Sequence, residues 1–296
     1  MTPTPMLDGR KRWLAFGVLC VGTVMEVLDT TIVNVALPSI KSDLGFSDTS
    51  LAWVINAYML TFGGFLLLGG RLGDLYGKRR LFLFGISLFT LASLACGLST
   101  SQTMLIVSRA IQGLGGAVLS AVSLSLIMNL FPDGPGRIKA MAYFGFVAAG
   151  GGSLGVLLGG VLTDALDWHW VFLVNIPIGI AVLVASFALL PAGRDTTTRP
   201  RLDVAGAVTV TASLMLAVYA IVNGNTVGWT SVQTLGMLGV AAALMATFLL
   251  VESRVKAPLM PLGLFRLRNV STANVVGVFW AASMFAWFFM SALYMQ

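Results

Sequence analysis

Nine apolar runs, each close to the length of a bilayer crossing, dominate this sequence. They fall at about residues 13–37, 50–70, 81–98, 103–131, 138–163, 170–190, 204–222, 231–251 and 270–294. An α-helix needs roughly 20 apolar residues to cross the hydrocarbon core of a membrane. The pattern therefore predicts an all-α polytopic membrane protein. A composition of 57% hydrophobic and 10% charged residues, with mean hydropathy +0.90, excludes a soluble domain of this length. The first run is not expected to be a cleaved signal peptide. It is too long, carries two acids, and continues into Asn34 and Pro38 without a small-residue cleavage site.

Charge placement predicts the topology. With the N-terminus in the cytoplasm, sixteen of the eighteen Lys and Arg residues fall in cytoplasmic segments. Lys41 lies in an external loop and Arg109 within a span. This is the positive-inside pattern, and one missed helix would invert every later loop. The net charge of +6 is then a topology signal rather than a nucleic-acid footprint. The expected location is the plasma (inner) membrane, multi-pass, with a cytoplasmic N-terminus. Cys20 and Cys96 both fall inside spans and are expected to be reduced packing residues, and no metal-ligand spacing occurs.

The organisation reads as a cytoplasmic tail (1–12), a six-helix bundle (13–190) and a polar linker (191–203). Two further helices (204–251), a cytoplasmic interfacial segment (252–269) and a last helix (270–296) follow. The basic and apolar alternation of ESRVKAPLMPLGLFRLRN suits a segment lying at the membrane surface.

Glu26 and Asp29 sit inside the first span, where an ionised acid costs at least about 2.5–3.5 kcal/mol. On a helical wheel Gly22, Thr23, Glu26, Asp29, Thr30 and Asn34 fall within about 140° of one another, which aims a polar face at a cavity or a protein interface. In the fourth span Arg109, Gln112, Gly113, Gly116, Ser120 and Ser123 share a face in the same way. Asp29 is roughly 12 Å from the external end of its span and Arg109 roughly 9 Å from the external end of its own, so the acid and the base reach similar depth. Two readings stay open. One is a buried ion pair that fixes helix packing. The other is a carboxylate that exchanges a proton or binds a cationic substrate, favoured because two acids face one base.

Several stretches resemble the major facilitator superfamily, and within it the fourteen-helix drug–proton antiporters. LDTTIVNVALP (28–38) is similar to that family's helix-1 motif. GRLGDLYGKRR (70–80) resembles the superfamily's loop signature between helices 2 and 3, with Gly70, Leu72, Asp74 and Gly77 in register and Leu75 where the family has Arg. There glycines permit a tight turn, and Asp74 is placed to cap the next helix or pair with a base. SRAIQGLGGA (108–117) is similar to the helix-4 Arg-x-x-Gln-Gly motif. In GGSLGVLLGG (151–160) Val156 replaces the antiporter motif's proline. Gly151, Gly155, Gly159 and Gly160 supply a close-packing face. LDWHWVFLVNIPIG (166–179) resembles the segment joining helices 5 and 6, with His169 where the family has Arg; a tryptophan-flanked histidine there reads as an interfacial anchor. PLMPLGLF (258–265) looks like the family's lead-in to helix 9.

The resemblance implies a six-helix N-terminal bundle, two inserted helices and the first helix of a C-terminal bundle, with five further helices absent. It also implies proton-coupled export of drugs or other small lipophilic or cationic compounds by alternating access. Glu26, Asp29 and Arg109 are then the coupling residues, and Gly70, Asp74, Gly77, Lys78 and Arg79 the cytoplasmic gate. Met25, Asn34, Asn56, Tyr58 and Gln112 are candidates for the cavity wall. The expected partners are a small-molecule substrate, protons and the lipid bilayer. No cofactor, metal, nucleotide or nucleic acid is expected, nor enzymatic activity, since no nucleotide-binding loop or nucleophile–base pairing is present. Two alternatives are transport of another solute, such as a metabolite or antibiotic, and a non-transporting membrane fragment needing a partner. Self-association through the open cavity face is a further expectation if the chain is functional by itself.

Overall fold

A computed structural model describes residues 9–132, 134–191, 203–255 and 258–295. Ten α-helices follow one another: α1 (Gly9–Leu44), α2 (Asp48–Tyr76), α3 (Lys78–Gly97), α4 (Gln102–Leu130), α5 (Pro135–Ala165), α6 (Trp170–Leu173), α7 (Asn175–Leu189), α8 (Val204–Val227), α9 (Val232–Arg254) and α10 (Arg268–Met295). Taking α6 and α7 together, eight helical stretches among the described residues are long and apolar enough to cross a membrane. The protein is an all-α polytopic membrane protein, and α10 occupies the place of the ninth apolar run. The first eight residues of the tail and most of the polar linker, with Arg194, Arg199 and Arg201, lie outside the described residues, as does Lys256.

Two of the helix boundaries that differ from the sequence reading lie at proline, while α2 and α8 run on to Tyr76 and Val227, past the expected ends at 70 and 222. The first span was expected to end at residue 37, but α1 continues through Pro38 to Leu44. A proline inside a helix removes one N–H donor and crowds the carbonyl four residues back. Here Asn34, exposed at that level, sends its side-chain amide to Thr30 O at 2.9 Å. The sixth run, read as one helix, is interrupted at Val174. Pro177 cannot donate to the carbonyl of Leu173, so the ladder breaks there and α7 starts afresh at Asn175.

The helices of the bundle pack with an internal symmetry. α1 packs on α5 and α4 on α2; α3 packs on α4 and α7 on α1; α3 and α7 face each other. Exchanging α1, α2 and α3 for α4, α5 and α7 maps this set of contacts onto itself, as in a fold built from two three-helix repeats. α8 lies against α2, where the Thr211 hydroxyl donates to Gly64 O at 2.9 Å, and α9 packs on α8.

Lipid chains are as apolar as leucine, so these helices associate by close packing and hydrogen bonds. The α1–α5 contact shows this. Gly151, Gly155 and Gly159 are the buried stripe of α5, and a Cβ on Gly155 would stand 2.9 Å from Leu28 O and collide with Thr31. A Cβ on Gly159 would stand 3.0 Å from Ile32 O. Gly160 faces open space instead, so it lies outside the packing stripe in which the sequence reading placed it. Because α5 covers that side, burial on α1 extends to Leu28 and is not confined to its polar face, while Leu14, Val21 and Asn34 stay exposed.

Gly155→Leu is expected to lower the stability of the purified chain by about 1–3 kcal/mol through overpacking, whereas Gly160→Leu should be near neutral. Thermal unfolding in a mild detergent measures both, and equal melting of the two variants would contradict the assigned stripe.

Candidate functional site

Asp29 is fully buried in the middle of α1, where it receives three donors. Arg109 Nη1 of α4 reaches Oδ2 at 2.6 Å. Gln112 Nε2, one turn along α4, reaches Oδ1 at 2.8 Å, and Asn175 Nδ2, at the start of α7, reaches the same oxygen at 2.9 Å. The interruption before Asn175 matters here, because it makes this side chain the first residue of a new helix.

The network extends into every neighbouring helix except α5. Arg109 Nη1 also donates to Gln112 Oε1 at 2.6 Å, and its Nε donates to Val54 O of α2 at 3.0 Å. The guanidinium lies 4.3 Å from the centroid of the Tyr58 ring and 5.7 Å from that of Phe172. Ser93 Oγ of α3 accepts from Gln112 at 3.1 Å and Asn175 at 3.0 Å, and donates to Phe172 O at 2.9 Å. The Cys96 thiol points at Gln112 Oε1 from 3.6 Å; both cysteines are unpaired and buried. A buried ion pair is tolerable only when the remaining donors and acceptors are satisfied as well; here both Asp29 oxygens have donors, while Asn175 Oδ1 is buried without a partner.

Glu26 has a different environment one turn away. It is buried, yet its Oε2 has no hydrogen-bond partner, with Ser120 and the Asp29 charge as its polar neighbours. The Tyr58 hydroxyl is also buried without a partner, close against Gly116 and within electrostatic reach of Glu26. Met25 is fully buried beside them in the same apolar cluster as Tyr58. One acid is thus saturated and the other is not. A buried carboxylate with one oxygen lacking a donor is costly when ionised, and a proton or an organic cation removes that cost.

The other wall candidates scatter. Gln112 belongs to the ion-pair network, Asn56 is half-buried on α2, and Asn34 is exposed on α1. Sequence reasoning missed Ser93, Asn175 and the Val54 carbonyl. Asn175 carried a signal, as a lone amide two residues before Pro177 in an apolar run.

The residues expected at the gate form a separate cluster, roughly 30 Å along α2 from Val54. Gly77, with φ 98°, makes the α2–α3 turn in a conformation that favours glycine. Asp74 does not cap α3, whose start has no side-chain cap; it pairs with Lys78 at 3.7 Å. Lys78 reaches Asn129 Oδ1 at 3.5 Å, and Arg79 donates to Phe187 O at 2.7 Å near the end of α7. Gly70 is half-buried on the facing turn of α2. At the opposite end of the bundle His169 stacks on Trp168, whose indole N–H donates to Asp43 Oδ2 at 2.9 Å.

The family described as Major Facilitator Superfamily matches residues 19–296. The cephamycin export protein CmcT of Amycolatopsis lactamdurans is 42% identical over 275 residues, covering 92% of this chain and 57% of that protein. The puromycin resistance protein pur8 of Streptomyces alboniger is 42% identical over 253 residues, covering 86% and 50%. The chain spans about half the length of the curated relatives it matches. A crystal structure of the peptide transporter POT in complex with sulfate superposes with a TM-score of 0.61 at 19% identity, over 86% of this chain and 55% of that one, a likeness of fold.

Removing one partner of the buried pair should cost more than removing both. Arg109→Met alone is expected to destabilise by about 3–5 kcal/mol, and the double variant Asp29→Leu/Arg109→Met by clearly less. Chemical denaturation of the purified chain in mixed micelles compares them; a double variant weaker than the single one would show that the pair is not the dominant contact.

Proposed function

The chain belongs to the major facilitator superfamily, a family of membrane transporters, and we propose that it takes part in exporting drugs or other small lipophilic or cationic compounds in exchange for protons. The observation that carries this reading is the contrast between the two acids of α1. Asp29 is held by Arg109, Gln112 and Asn175, while Glu26 has a buried carboxylate oxygen with no donor. Glu26 is then the group that alternates between a proton and a cation. Arg109 and Asp29 set the potential around it, and Asp29 joins the exchange when Arg109 moves away. Met25 and the Tyr58 ring supply the apolar and aromatic wall a lipophilic cation needs. The names of the relatives, a cephamycin exporter and a puromycin resistance protein, support a drug-like substrate class.

The energy source in this reading is the proton gradient across the plasma membrane. Alternating access requires a second bundle against which this one rocks about a midplane site. A second copy of the chain is one source of that bundle. The Asp74, Lys78 and Arg79 cluster ties the α2–α3 turn to the ends of α4 and α7 and serves as the gate, held at the cytoplasmic face with the N-terminus.

Proton release from acidified inside-out vesicles holding the chain, triggered by tetraphenylphosphonium, tests the proposal. The expected result is a signal from the unaltered chain that Glu26→Gln abolishes and Glu26→Asp partly retains. Full proton release from Glu26→Gln would remove Glu26 from the coupling role, and no release from the unaltered chain would overturn proton-coupled export by it.

A further inference from the structure

A second cluster of charge lies far from the α1–α4 ion pair, where α1 and α5 enter the membrane side by side. Arg10, Lys11 and Arg12 open α1, and Arg137 and Lys139 open α5. In the sequence these five cations are flanked by only two acids, Asp8 and Asp133, an excess of three positive charges. The cations are interleaved with aromatic rings. The Arg12 guanidinium lies 4.9 Å from the Phe131 ring centroid, and the Lys139 ammonium lies 5.7 Å from Trp13 and 5.8 Å from Tyr143. Trp13 joins the two halves, 4.8 Å from Phe131 and 6.1 Å from Tyr143. The Arg12 Nε is buried and has no hydrogen-bond partner among the described residues. α5 also begins at Gly134 and Pro135 without a side-chain cap, so its positive end faces the same place.

The order of side chains along the helices matches the order of groups in a phospholipid. The cations come first, at the helix starts. Half-buried Trp13 and exposed Tyr143 come next, at the depth where aromatic rings settle in an interface. Exposed aliphatic and aromatic groups continue inward: Leu14 is 50% exposed and Phe146 is 77% exposed, the latter two turns along α5 from Lys139. A soluble anion would use the cations alone. A lipid uses all three layers.

The geometry points to a binding site for the phosphate headgroup of an anionic phospholipid at the junction of the starts of α1 and α5, with Arg12 and Lys139 as the principal contacts. The occupant holds α5 to α1 at the end where the glycine stripe no longer does so. Basic pockets between transmembrane helices bind anionic headgroups in this manner, each Lys or Arg strengthening the attraction.

Native mass spectrometry of the purified chain in a non-ionic detergent tests the site, with titrations of phosphatidylglycerol, phosphatidylcholine and inorganic phosphate in parallel. Phosphatidylglycerol should be retained in preference to phosphatidylcholine. Lys139→Gln should weaken its apparent affinity about fivefold and Arg12→Gln/Lys139→Gln about thirtyfold, while Lys139→Arg leaves it unchanged. Lys139 is exposed, so its single variant remains informative if the double variant fails to fold. Equal retention of both lipids would overturn the proposal, as would neutral variants that bind like the unaltered chain. Arg254→Gln, a lost cation at the same end but on α9, should have no effect; an equal loss there would mean diffuse attraction and no built site. Inorganic phosphate that competes as strongly as the lipid would overturn the lipid assignment.

Discussion

A single buried ion pair sets the arrangement of this bundle. Asp29 and Arg109 are each taken almost wholly out of contact with solvent or lipid, which is tolerable only because every neighbouring helix except α5 supplies a compensating group. Val54 O comes from α2, Ser93 from α3, Gln112 from α4 and Asn175 from α7. The requirement runs in both directions. A helix rotated out of place would leave an unpaired charge or amide in an apolar interior, so the network selects one register among packings that are otherwise nearly equivalent. Apolar contacts between helices in a membrane do not discriminate in this way, because lipid offers much the same environment.

The elements outside the network are held by other means, and they differ accordingly. α5 contributes no group to the ion pair and approaches α1 through glycines, a contact of shape. The α8–α9 pair attaches through α2, with Trp53 and Tyr219 rings 5.5 Å apart and Thr211 on Gly64 O. The polar core and the apolar periphery therefore carry separate duties. The first specifies orientation, and the second permits helices to lie close without specifying which charge meets which.

Much of this was legible in the sequence because charges inside apolar runs are conspicuous. Arg109 is the one base within a span and Glu26 and Asp29 are the acids of the first, so the residues of the core announce themselves. Ser93 does not, and Asn175 does so only through its place before Pro177, since a lone hydroxyl in a transmembrane helix usually bonds to its own backbone, as Thr23 and Ser186 do here. The Val54 carbonyl has no signature in sequence at all. The different surroundings of Glu26 and Asp29 were equally hidden: both are acids on one face, and only the positions of Arg109, Gln112 and Asn175 separate them. The helix ends at Leu44 and Leu173 were misjudged because a proline can be absorbed or can break a helix, and the surrounding packing decides which.

The span of chain between these partners has a consequence for how the protein is made. Arg109 follows Asp29 by 80 residues and Asn175 follows it by 146. At ribosomal speeds of about 5–20 residues per second, Asp29 waits about 4–16 s for its base and about 7–29 s for the last amide. During that interval α1 stands in the membrane or the insertion channel with two acids and no counter-charge. The bundle is completed only when α7 is delivered, so nascent chains halted before residue 175 should form a population that quality-control proteases can recognise by its unmet charge.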